Sequence, residues 1–174
     1  MSIKTMLQKT ILFSFLFILF FNTKAQVPFL HWAKGAGSSS NDGGRAIAVD
    51  KTGNIYTTGH FEDIADFDSG PGTYTLSSNG VFDVFISKTD PNGNLLWVKQ
   101  IGGNNVDEGM AICIDKKNNI LVTGIFSGTC DFDPGAGTFN LSAVSSSPDI
   151  LILKLNSSGD FLWANAMGGS LWDT

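Results

Sequence analysis

Basic residues are scarce in this chain. Eleven Lys and Arg stand against sixteen Asp and Glu, for a formal net charge of −5 over 174 residues. Three of the eleven (Lys4, Lys9 and Lys24) fall within the first 25 residues, so the remainder carries a net charge of about −8. Nucleic acids and anionic membranes are bound through Lys and Arg contacts to phosphate, and the shortage argues against both as partners. Histidine and cysteine are equally sparse: His31, His60, Cys113 and Cys130. They form no cluster with zinc spacing. No phosphate-cradling or dinucleotide fingerprint is present, and nothing promotes a Ser-His-Asp grouping. Charge is low at 16% while glycine is frequent at 20 residues, a balance that suits short strands joined by turns. Past the N-terminal segment no stretch sustains a 3.6-residue period. The chain reads as all-β.

The one long apolar run, residues 11–21, follows Lys4 and Lys9 and precedes the small-residue site at Thr23 and Ala25. A charged start, about 7–15 apolar residues and a small-residue cleavage site describe a secretory signal peptide. The run falls short of the roughly 20 residues that cross a bilayer. Residues 1–25 are therefore expected to be removed, leaving Gln26 first, and the protein is expected to be secreted or cell-surface with no stable membrane span.

What the chain has in place of motifs is a repeat. DFDSGPGTY at 66–74 returns as DFDPGAGTF at 131–139, a spacing of 65. GGRAIAVDKTGNIYTTGHF from Gly43 returns at the same spacing as EGMAICIDKKNNILVTGIF from Glu108, and Trp32, Trp97 and Trp163 recur in step. One residue is added between Leu141 and Asp149. A repeated unit of this size is an architectural device. Each unit is predicted to hold four strands: 46–50, 55–59, 84–89 and 95–101, then 111–115, 120–124, 150–155 and 161–167. Asp50-Lys-Thr-Gly-Asn54 and Asp90-Pro-Asn-Gly93 read as tight turns, with Gly53 and Asn54 tolerating the positive φ such loops need.

Ile150, Leu151, Ile152 and Leu153 are apolar in succession, as in a strand buried on both faces. Strand one puts small residues (Ala46 and Ala48, then Ala111 and Cys113) on one parity and large aliphatics on the other. A four-stranded sheet covered on both faces and narrow at its first strand describes a β-propeller blade. A solenoid coil needs only about 20–29 residues, so 65 is too long. Residues 46–101 are taken as blade 1, 102–167 as blade 2 and 168–174 as the start of a third repeat. Residues 26–45 hold a strand matching the fourth of each blade, a closing strand, and an entry loop. Two blades are too few for a ring of 4–8, so the expected fold is an incomplete propeller, the front of a longer protein.

The order Gly-x-x-Ala-Ile-x-Val-Asp-x-x-Gly-Asn-Ile-Tyr, then Asp-x-Phe-Ile-x-Lys, Gly-x-Leu-Leu-Trp and Ile-Gly-Gly resembles the SBBP class of bacterial β-propeller repeat. The DFDPG-type insertion resembles versions in exported proteins of Bacteroidetes-like bacteria. The resemblance covers the chain after about Leu30. It implies an exported surface or secreted protein and leaves its ligand open.

Asp66, Asp68, Asp131 and Asp133 are the candidate metal residues. Carboxylates at alternate positions of an extended segment share a side, and a glycine-rich bend can add carbonyls to the all-oxygen shell that Ca²⁺ prefers. The other reading of these residues is turn capping, since Asp routinely accepts from nearby N–H groups. Asp42, Asp107 and Asp173 recur ahead of strand one and are candidates either for lining a channel mouth or for capping a glycine-rich loop. The tryptophans are expected between blades. Cys113 and Cys130, absent as a pair from repeat one, are either a disulfide or two small buried residues. The expected function is an exported non-catalytic scaffold binding a protein or glycan. The alternatives are a Ca²⁺-stabilised structural or adhesive array and part of an enzyme completed by further blades.

Overall fold

Four turns of one design fix the strand ends. Asp50 Oδ1 accepts the N–H groups of Thr52 and Asn54 at 2.9 and 3.0 Å. Asp90 does the same for Asn92 and Asn94, Asp115 for Lys117 and Asn119, and Asn156 for Ser158 and Asp160. Each turn requires a positive φ at its fourth residue, met by Gly53, Gly93, Asn118 and Gly159. Asparagine is the non-glycine residue that tolerates this conformation most readily, which is why Asn118 can stand where the other three turns use glycine.

The computed structural model describes residues 31–145, 147–171 and 173. The expected signal peptide lies outside them, as does Leu30. Blade 1 comprises β1 (Gly43–Val49), β2 (Ile55–Phe61), β5 (Asp83–Thr89) and β6 (Leu95–Gly103). Blade 2 comprises β7 (Glu108–Ile114), β8 (Ile120–Phe126), β11 (Asp149–Leu155) and β12 (Phe161–Met167). Each blade is antiparallel throughout, with strand one at one edge and strand four toward the other. The eight predicted strands are all present.

The repeat nevertheless holds six strands, not four. The DFD segment, read from sequence as an insertion, is a hairpin: β3 (Ile64–Asp66) with β4 (Thr75–Ser77), and β9 (Thr129–Asp131) with β10 (Asn140–Ser142). An aromatic pair folds it under the blade. Phe67 meets Phe61 edge to face at 5.4 Å, and Phe132 meets Phe126 at 5.2 Å. The end of β6 then pairs across the blade boundary, Gly102 with Asp131 and Gly103 with Cys130. One sheet of order β1-β2-β5-β6-β9-β10 thus runs from blade 1 into the hairpin of blade 2.

The main core is the seam between blades. The back face of blade 1 gives it Tyr56, Val84, Ile86 and Ile101, with Ala46, Ala48 and Trp97 packed against them. The front face of blade 2 gives Ile112, Ile120, Val122, Leu151, Leu153 and Leu155. Small residues on strand one let β7 lie close against β1 and β2. A second cluster, Phe61, Ala65, Phe67, Phe85 and Val98, joins the first hairpin to the front of blade 1.

Candidate functional site

The edges of both sheets that carry strand one lie side by side, and each strand is bulged at the same place. Register shifts between Gly44 and Ala46 in β1, and between Gly109 and Ala111 in β7. The extra residues are Arg45 and Met110, both exposed. A bulge leaves one residue unpaired and re-aims its side chain, a device common beside functional sites. Arg45 Nη2 pairs with Glu108 Oε2 at 2.9 Å, and His60 Nδ1 stands 3.5 Å from the same oxygen. His60 is buried against Phe82, ring centroids 4.9 Å apart. Sequence reasoning did not single out Arg45, Met110 or Glu108. The signal was available: a Gly-x-Ala step in both copies, with x differing while its flanks repeat.

The seven aspartates predicted as site residues all spend oxygens on their own backbone. Asp66 Oδ1 accepts from Asp68 N and Tyr74 N at 3.0 and 2.9 Å, and Asp131 Oδ1 from Asp133 N and Phe139 N at 3.0 and 2.8 Å. Asp68 and Asp133 each accept from the glycine two residues on, at 2.8 Å. Asp42 accepts from Ser38 N and Glu62 N, Asp107 from Gly103 N and Ser127 N, and Asp173 from Gly169 N. Asp107 is fully buried, so it does not line a channel mouth. It closes the loop between blades. In repeat one, Asp42, Asp66 and Asp68 line one open depression of about 530 Å³ with Ser38 and Ser40. Among the described residues no group of three or more His, Cys, Asp or Glu is arranged to hold a metal ion.

Burial and hydrogen bonding divide the carboxylates into two kinds. For Asp50, burial alone would raise the pKa, but hydrogen bonds from Thr52 and Asn54 together hold it far below the usual range. Asp115 is held low by Lys154 and then Asn119, with Lys154 Nζ at 2.9 Å. Burial pushes Asp83 and Asp107 upward instead. Asp83 Oδ2 accepts from Gln100 Nε2 at 2.6 Å and Asn79 N at 3.1 Å. Its Oδ1 is buried without a partner, as is Oδ1 of Asp149 in repeat two.

Cys113 and Cys130 are free, the first exposed and the second buried, so the disulfide reading does not hold. Burial, followed by the charge of Asp107, drives the Cys130 thiol far above its ordinary pKa and makes it unreactive. Of the three recurring tryptophans, Trp97 is seated between blades, against the Gly159 turn and edge to face with Tyr56 at 6.1 Å. Trp32 and Trp163 are half exposed. No helix among the described residues is long and apolar enough to cross a membrane.

Two sheets repeating the same turns and hairpin, packed across one seam, define a protein built from β-propeller repeats. Comparison with known families agrees: the SBBP β-propeller repeat matches residues 32–60, which end within β2. The chain is also 30% identical over 110 residues to an uncharacterized WD repeat-containing protein of Acanthamoeba polyphaga mimivirus. That match takes in 55% of this chain, which spans only 8% of the relative's length.

Proposed function

We propose that this is an exported, non-catalytic β-propeller scaffold that binds a protein or glycan at the edge formed by strand one of successive blades. The observation that carries the reading is the pair of bulges. Two repeats that agree in turns and hairpin present different exposed side chains at one position of their inner strands, Arg45 and Met110. Variation at a fixed, rigidly supported place is how a repeat array acquires a recognition surface. Arg45 is held by Glu108 from the next blade, so its direction is set before any ligand arrives. The acidic balance favours neutral or basic partners over nucleic acid. Export rests on the N-terminal charge and apolar order, and mass spectrometry of the secreted protein should find Gln26 first.

The test is binding of the folded protein to an array of neutral oligosaccharides and to immobilised surface proteins. Replacing Arg45 and Met110 together by alanine should weaken the strongest interaction by about tenfold or more, a loss near 1.4 kcal/mol. Circular dichroism and melting temperature should stay unchanged. Unaltered binding by the double variant would overturn the assignment of this edge.

A second reading is Ca²⁺ stabilisation through Asp66 and Asp68, which line an open depression in repeat one, although no metal-holding group of three or more His, Cys, Asp or Glu is formed among the described residues. A rise in melting temperature with free Ca²⁺ is its signature.

A further inference from the structure

Between the two blades, at the end where strand one begins, lies a cavity of about 430 Å³. Four apolar residues line it: Val81 from the loop before β5, Val106 from the link into β7, Ile125 from β8 and Pro148 from the loop before β11. Asn105, Glu108 and Ser127 add an amide, a carboxylate and a hydroxyl to its wall. Small-ligand pockets run about 300–1,000 Å³ and pair apolar walls with a few polar groups. This cavity is a small one of that kind.

Its walls are fixed by hydrogen bonds between segments remote in sequence. Val81 and Phe82 both donate N–H to Asn105 O, at 3.0 and 3.3 Å, and Asp107 N donates to Phe82 O at 2.9 Å. A short parallel bridge, Phe82 with Val106, so ties the blade 1 loop to the link. Asn105 Nδ2 reaches Ser127 O at 3.4 Å. Gly128 leaves room for that amide: its φ is 70°, and a Cβ there would stand 2.4 Å from Asn105 Nδ2. A site held in place beforehand loses little freedom when it binds. The lining is also particular to repeat two. Sixty-five positions before Val106, Glu108, Ile125 and Ser127 stand Asn41, Gly43, His60 and Glu62. A requirement of the fold would recur with the turns, and this lining does not.

Charge decides what fits. Glu108 is the one charged residue of the lining. Its Oε2 takes Arg45 Nη2 at 2.9 Å and faces His60 Nδ1 at 3.5 Å, while Oε1 carries neither contact. A guanidinium is bound best by both oxygens of a carboxylate, and Arg45 already engages one. An ammonium is a compact charge with three N–H donors, which Glu108, Asn105 and Ser127 can divide among them. A long aliphatic stem covers apolar surface while its charged tip stays among polar groups. The lining has no aromatic ring on which a sugar could stack.

We propose that this cavity is a receptor for a lysine side chain presented by a protein partner, its stem along Val106, Ile125 and Pro148 and its ammonium against Glu108. Sixteen acidic residues against eleven basic ones favour the approach of a basic protein surface. The site adjoins the strand-one edge but does not rest on that reading, since neither Arg45 nor Met110 lines it.

The probe is lysine capped at both ends, Nα-acetyl-lysine N-methylamide, titrated into the isotope-labelled full chain. Methyl resonances of Val81, Val106 and Ile125 should shift saturably, in the millimolar range expected of so small a ligand. The Nε-acetylated form keeps the stem and loses the charge, and should not move them. Glu108→Gln should weaken binding of the probe by about tenfold or more. Glu108 also holds Arg45, so Val81→Lys supplies an arm that leaves that pair alone. It sets a like charge at a half-exposed position beside the site and should weaken binding to a similar extent. These readouts stand or fall separately from the effect of the Arg45 and Met110 substitutions. Lack of a saturable shift up to the solubility limit of the probe overturns the proposal. So do equal shifts with the Nε-acetylated form, or binding indifferent to both variants.

Discussion

Asp131 shows what one carboxylate does in this architecture. One of its oxygens accepts from two N–H groups, eight residues apart in the chain at the farther one, and so closes the hairpin that carries it. Truncating a capping side chain leaves such donors unsatisfied and costs about 1–2 kcal/mol. Asp131→Ala should therefore lower stability by about that amount in chemical denaturation, equally in EDTA and in millimolar Ca²⁺. A loss seen only with Ca²⁺ would favour the metal reading. The alternation Asp-x-Asp was plain in the sequence, but its meaning was not. The same two residues suit a cation shell or a pair of caps, and only the positions of the Tyr74 and Phe139 amides separate these uses. Arg45 and Met110 were harder still, because a bulge is a shift of register between strands and leaves no mark on one strand read alone.

At the scale of elements, the hairpin is the part that sequence patterning under-read. Its strands are three residues long, too short for alternation to register, and Asp63 enters the first with φ of 58°. The blade strands were legible because apolar runs bounded by Asp- or Asn-led turns returned at a fixed spacing. Hairpin attachment rests on Phe132, fully buried against Phe126. Removing a buried phenylalanine ring costs about 3–5 kcal/mol. Phe132→Ala should show that loss by denaturation and should raise hydrogen exchange at Gly102, which pairs with Asp131 across the blade boundary. If exchange there is unchanged, the hairpin is held by something other than its aromatic anchor.

For the molecule as a whole, stability against pH should have two limbs. Asp50, Asp90 and Asp115 have depressed pKa values in the folded state. Their contribution is present above the ordinary carboxylate value near 3.9 and is lost as pH falls through the folded values. Asp83 and Asp107 are shifted the other way by burial. What they contribute is complete below that ordinary value and is lost as pH rises through their raised ones. Asp83→Asn removes a buried charge while keeping an acceptor for Gln100 and Asn79. It should raise the melting temperature at pH 8 relative to the parent, with the gain shrinking toward pH 4. A constant difference across that range would mean the carboxyl is not titrating. None of this was legible beforehand, since Asp83 and Asp90 look alike in sequence and differ in their surroundings: Asp83 is buried against Gln100 and Asn79, while Asp90 caps an open turn.

The sheet that continues from β6 into β9 and β10 also bears on how the protein would carry a mechanical load. Tension between the ends reaches the blade boundary, where the strand pairing of Gly102 and Gly103 with β9 shares it with the apolar seam. The strand that finishes one blade is stitched to the next, so neither can be drawn out without tearing a sheet they hold in common. Pulled from its ends, such a chain yields as a single laminate, not as beads on a string.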